Sequence, residues 1–200
     1  MAPLGAARFN LLGGVAGENP AMTLIEYQSV SSVTSVSFNS IDESTYDYHL
    51  LTWTDIDSGI RDDLNYWRMR VKVGGTNQGS PYINFGMAQS WGSNAAKSYK
   101  ELYQYRNTDG YVHLASTHRG WGDNVTSVDS SLNGYAVISK GGDNNFTTGI
   151  QSSAIGQSYA SGSTPYILTA HYKSTNVVNG LYIYMSGYSF SGKLGLYGYN

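Results

Sequence analysis

Two tryptophans lie in glycine-flanked stretches, Ser90-Trp91-Gly92 and Gly120-Trp121-Gly122. An indole beside glycine in a loop is often exposed, and an exposed indole face can stack on a sugar ring as it stacks on other rings. Arg119, Asp123 and Asn124 stand next to Trp121 and carry donors and acceptors for sugar hydroxyls. The chemistry expected of this group is non-covalent recognition of a glycan. The competing expectation is that both indoles plug the ends of a β-sandwich or sit in a subunit interface.

Covalent chemistry finds less to work with. Glycoside hydrolysis needs two carboxylates roughly 5–10 Å apart. The chain has four glutamates, Glu18, Glu26, Glu43 and Glu101, and none stands in an aromatic-flanked Glu-x-Asp strand. Asp47 and His49 form an acid–base pair by spacing, inside a run that reads as structural. Gly-x-Ser-x-Gly does not occur, and a Ser-His-Asp triad is defined by geometry that spacing does not supply. His113 and His118 are five apart, with His49 and His171 isolated, which is not a zinc pattern. Asp55, Asp57 and Gly59, with Asp62 and Asp63 close by, resemble a calcium loop, but the twelfth position, where an EF-hand needs glutamate, is Tyr66. A different calcium site at Asp55 and Asp57 stands against a solvated acidic turn. The expectation is a protein that is not an enzyme and has no cofactor.

Composition points the same way. Twelve basic residues face fourteen acidic ones, a formal net charge of −2, so a phosphate-binding stripe for nucleic acid is not expected. Charged residues make up 13% of the 200 residues, against roughly 25% in a typical soluble domain. The wet surface must therefore come from Ser, Thr, Asn, Gln and Tyr, a palette suited to neutral polar partners and neighbouring subunits. With no cysteine, neither a disulfide framework nor a thiolate metal site can form. No stretch of 18 apolar residues occurs, so no membrane insertion is expected. The opening Met1-Ala-Pro-Leu-Gly-Ala-Ala-Arg8 lacks the charge-then-apolar order of a signal peptide.

The elements that would carry these residues are strands. Eighteen tyrosines and 24 glycines favour strands and tight turns over helices. Asn65–Val73 alternates most cleanly: Trp67, Met69, Val71 and Val73 share one face, and Tyr66, Arg68, Arg70 and Lys72 share the wet one. In Tyr46–Trp53, His49, Leu51 and Trp53 oppose Tyr48, Leu50 and Thr52, and Asp55 to Gly59 then punctuates the chain. Further strands are expected at Thr23–Val30, Val33–Phe38, Tyr82–Phe85, Gly134–Ser139, Tyr166–Tyr172, Leu181–Met185 and Gly192–Asn200. Thr148–Ser158 is ambiguous, and the turn Asn107-Thr-Asp-Gly110 predicts a hairpin into Tyr111–Ser116. Trp53 and Trp67 are expected in the core.

The two ends of the pattern resemble a known module. Leu24-Ile-Glu-Tyr-Gln-Ser-Val30, Val36-Ser-Phe-Asn-Ser-Ile41 and Tyr46-Asp-Tyr-His-Leu-Leu51 open it, and Gly180-Leu-Tyr-Ile-Tyr-Met185 with Gly192-Lys-Leu-Gly-Leu-Tyr-Gly198 look like its closing pair of strands. Over about residues 23–200 the chain resembles the jelly-roll β-sandwich module of tailed-phage virion proteins of the tail, fibre or capsid decoration. The resemblance implies an antiparallel all-β jelly roll at 22–200, a virion location after assembly in the host cytoplasm, other virion proteins as partners, and self-association, with a homotrimer as the expected state. It carries no active site. Residues 1–21 lie outside the module. They are rich in Ala, Gly and Leu, and Leu4, Phe9, Leu11 and Leu12 follow no period, so they read as an extended arm that anchors the subunit on a neighbour or its own domain, or as a frayed terminus. The alternative function is a lectin-like carbohydrate-binding module that contacts host surface glycans, with Trp91 and Trp121 as its platform.

Overall fold

A computed structural model describes residues 22–57, 66–79, 82–88, 105–107, 110–116, 132–139, 147–158 and 162–200. They form thirteen strands and no helix. In chain order these are β1 (Thr23–Val33), β2 (Ser35–Phe38), β3 (Tyr48–Asp57), β4 (Tyr66–Val73), β5 (Thr76–Asn77), β6 (Tyr82–Ala88), β7 (Tyr105–Asn107), β8 (Val112–Ser116), β9 (Leu132–Ser139), β10 (Thr148–Ser158), β11 (Gly162–Tyr172), β12 (Gly180–Met185) and β13 (Phe190–Tyr199).

All pairings are antiparallel. One sheet runs β1-β13-β3-β9-β10-β11-β6-β7, and the other runs β2-β12-β4-β5 with β8 also on β4. The inward side chains of both sheets make one core, as alternation requires of a sandwich. Trp53 from β3 and Trp67 from β4 meet across it with centroids 6.3 Å apart, and Phe190 from β13 sets its ring edge-on to Trp67 at 4.8 Å. Both tryptophans are fully buried, as their strand positions predict.

Polar links tie the sheets together, two of them through β6. The Tyr82 hydroxyl, from the larger sheet, accepts the Val71 N–H at 2.9 Å and donates to the Gln78 carbonyl at 3.1 Å. Asn84 on β6 donates to the Tyr111 carbonyl at 2.9 Å and accepts the His113 N–H at 3.3 Å, which pins β8. The β4–β5 hairpin closes through Gly74 and Gly75, both at positive φ (56° and 79°), the conformation that a two-residue turn matching strand twist demands.

Several sequence expectations change. The Asn107–Gly110 turn does not close a hairpin: β7 joins β6 in the larger sheet while β8 joins β4 in the smaller one. Asp55 does not end its strand. It takes φ 55° in an irregularity of the ladder, and β3 continues through a buried Ile56 to Asp57. Thr148–Ser158 is a full strand, in register with β9 and β11. The two closing strands, β12 and β13, pair with other partners in opposite sheets.

Candidate functional site

Trp91, Trp121, Arg119, Asp123 and Asn124 lie outside the described residues, as do Leu4, Phe9, Leu11 and Leu12 of the arm. Asp55 is described: its N–H donates to Asn133 Oδ1 at 2.9 Å, and its carboxylate lies 3.6 Å from Lys193 Nζ, both side chains being exposed. Asp57 sits opposite Ser191, beyond the irregularity. Among the described residues no group of three or more His, Asp or Glu comes together as a metal cluster would. His49 is buried, and its Nε2 accepts the Asp42 N–H at 3.2 Å. Burial holds its pKa below the ordinary 6.5, against an opposing pull from the Asp42 charge. Asp42 itself accepts hydrogen bonds from the Ser44 and Thr45 hydroxyls and amides, which lower its carboxyl to about 2. The Asp47–His49 spacing thus resolves into a structural His49 that braces the Asp42 turn.

What the fold brings together instead is two contrasting outer faces. On the eight-stranded sheet, the register aligns Leu24, Tyr197, Leu50, Val137, Gln151 and Thr169 in one row and Tyr27, Gly195, Thr52, Tyr135, Ser153 and Ile167 in the next. These rows cross six strands and contain no charged residue. Leu24, Tyr27, Tyr135, Ile155 and Ile167 are each about half exposed, at 46–56%. Tyr48 and Tyr199 stack beside them at 5.3 Å. Six strands at about 4.8 Å and two rows at about 6.8 Å make a patch of roughly 400 Å². Exposed patches of a few hundred Å² with apolar side chains are often interaction sites.

The smaller sheet presents the opposite character. Trp67, Met69 and Val71 point fully inward, so Arg68, Arg70 and Lys72 point outward along β4. On β12, Leu181 and Ile183 point in and Tyr182 and Tyr184 point out. Register places Tyr184 beside Arg68 and Ser35, and Tyr182 beside Arg70 and Ser37. Neutral groups take part in holding each cation. Arg68 Nη1 donates to Ser186 Oγ at 2.9 Å, with its guanidinium 3.9 Å over the Tyr111 ring. Arg70 Nε donates to the Gly110 carbonyl at 2.9 Å, with the guanidinium 5.5 Å from the Tyr184 centroid. Lys72 Nζ donates to Asn39 Oδ1 at 2.5 Å. The Lys72 stem crosses Gly180, where a Cβ would meet the Phe38 carbonyl at 2.5 Å and Lys72 Cδ at 3.2 Å.

No protein family, no curated protein and no solved structure matches the chain. The function must therefore be read from these surfaces. Alternation already put Arg68, Arg70 and Lys72 on one wet face. Their tyrosine neighbours on β12, and the whole of the apolar face, depend on pairings that local sequence does not encode.

Proposed function

We propose that this chain is a structural subunit of a tailed-phage particle, in a surface-exposed tail, fibre or capsid-decorating position, and that it self-associates through the outer face of its eight-stranded sheet. The observation that carries the reading is the pair of uncharged rows with half-exposed Leu24, Tyr27, Tyr135 and Ile167, and half-exposed Ile155 beside them. A face of this size and character is stabilised by contact with another subunit and is a liability when left in water. Strand order supports the jelly-roll form of the sandwich. β1-β13-β3-β9 in one sheet opposes β2-β12-β4-β8 in the other, so β1/β2, β3/β4, β8/β9 and β12/β13 each cross between sheets, the winding of two Greek keys. In this reading residues 1–21 form an extended arm that docks the subunit on other virion proteins, and the assembly is a homotrimer.

Analytical ultracentrifugation tests the self-association. The full chain is expected to sediment as a trimer, and the double variant Tyr135→Lys/Ile167→Lys as a monomer with unchanged circular dichroism, because two buried charges without partners cost several kcal/mol. A wild-type monomer at micromolar concentration, or a variant that still assembles, would refute the interface.

A further inference from the structure

We propose that the outer face of the five-stranded sheet binds an anionic polysaccharide, a hydroxyl-rich chain carrying sparse carboxylates, with Arg70 and Lys72 as the charge contacts and Tyr182 and Tyr184 as the ring contacts. These contacts involve none of the residues around the glycine-flanked tryptophans, and they do not depend on the assembly reading.

Charge complementarity argues for the ligand. Three cations stand at alternate positions of β4, about 6.8 Å apart. Gly110 and Asn39, which hold Arg70 and Lys72, are neutral, and among the described residues no carboxylate pairs with either. Arg70 spends its Nε on the protein and keeps both terminal nitrogens for a bidentate carboxylate. The anchored stems reduce the ordering that binding would otherwise require.

The tyrosines argue for a sugar. Tyr182 and Tyr184 lie side by side with centroids 5.3 Å apart, next to the cation row. Ser35, Ser37 and Asn39 add hydroxyl and amide groups along the same edge. Aromatic faces beside neutral hydrogen-bonding groups suit pyranose rings and their hydroxyls. A densely charged polymer fits less well. Nucleic-acid affinity comes from neutralising many phosphates at once, and this chain has a net charge of −2 with its basic row confined to one strand.

Titration of the full chain with polygalacturonate, with dextran as the neutral polymer and oligothymidylate as the nucleic acid, tests the proposal. Polygalacturonate is expected to bind, more weakly as salt is raised, and dextran not to bind. The Lys72 ammonium bonds Asn39 alone among the described residues, and Lys72→Gln is expected to weaken binding about fivefold. Arg70→Gln/Lys72→Gln is expected to weaken it about tenfold or more, with an unchanged thermal melt for Lys72→Gln guarding against misfolding. The proposal fails if polygalacturonate does not bind, if the charge variants bind it as the wild type does, or if oligothymidylate binds more tightly, which would make the face a nucleic-acid surface.

Discussion

His49 looks like half of an acid–base pair when read beside Asp47, and burial changes its role. Its neutral ring accepts the Asp42 amide, and Tyr46 packs edge-on to it at 5.7 Å. A proton on Nε2 would remove the acceptor and place a charge in the core. The folded pKa lies below 6.5, so the unfolded chain binds the proton more readily, and stability rises with pH across that window. His49 therefore contributes fully above about pH 6.5, and its contribution is lost as pH falls from there through the folded value. In thermal melts the wild type is expected to melt at a lower temperature at about pH 5 than at about pH 7.5. His49→Gln, which keeps an acceptor without the titration, is expected to flatten that slope. An equal slope in both proteins would assign the pH dependence elsewhere. Asp42, lowered to about 2 by the Ser44 and Thr45 hydroxyls, acts in a separate window: its contribution is present above about pH 4 and is lost as pH falls through 2.

At the scale of elements, packing across strands overrides what each strand says alone. Gly134 reads as an ordinary start to a strand. In the fold it lies beneath Trp53, and a Cβ there would stand 2.5 Å from the Ser153 carbonyl, 2.7 Å from Trp53 Cζ2 and 2.8 Å from Ala154 Cα. Two of these three close neighbours are backbone, so neither can swing aside. Gly134→Ala is expected to cost about 2–3 kcal/mol, the upper part of the overpacking range, which a thermal melt would register as roughly 5–10 °C. A loss under about 2 °C would mean that β9 and β10 yield easily. The clean alternation of Tyr66–Val73 was legible because each residue there answers to one period, with Trp67, Met69 and Val71 buried as expected. The Asn107–Gly110 hairpin was not. Turn residues permit a reversal of the chain, but Asn84 and β4 capture β8 in the other sheet.

For the molecule as a whole, all buried apolar residues among those described lie between Val36 and Leu196. In the proposed reading residues 1–21 dock on other virion proteins, so deleting them is expected to leave the melting temperature within about 2 °C, under 1 kcal/mol for a domain of this size, and to abolish incorporation into particles. A large drop in melting temperature would show instead that the arm packs on its own sandwich. What the sequence determined alone is what depends on residue type and short period: an all-β chain with little charge, Trp53 and Trp67 in the core, and a wet β4 face bearing Arg68, Arg70 and Lys72. What only the tertiary structure decided is which strands are neighbours. Tyr135 reaches Ile167 across β10, and Tyr182 reaches Arg70, through ladders between residues 32 and 112 positions apart in the chain. A strand's alternation says which side chains share a face; the hydrogen-bonded register, set by the packing of the whole core, says which faces meet.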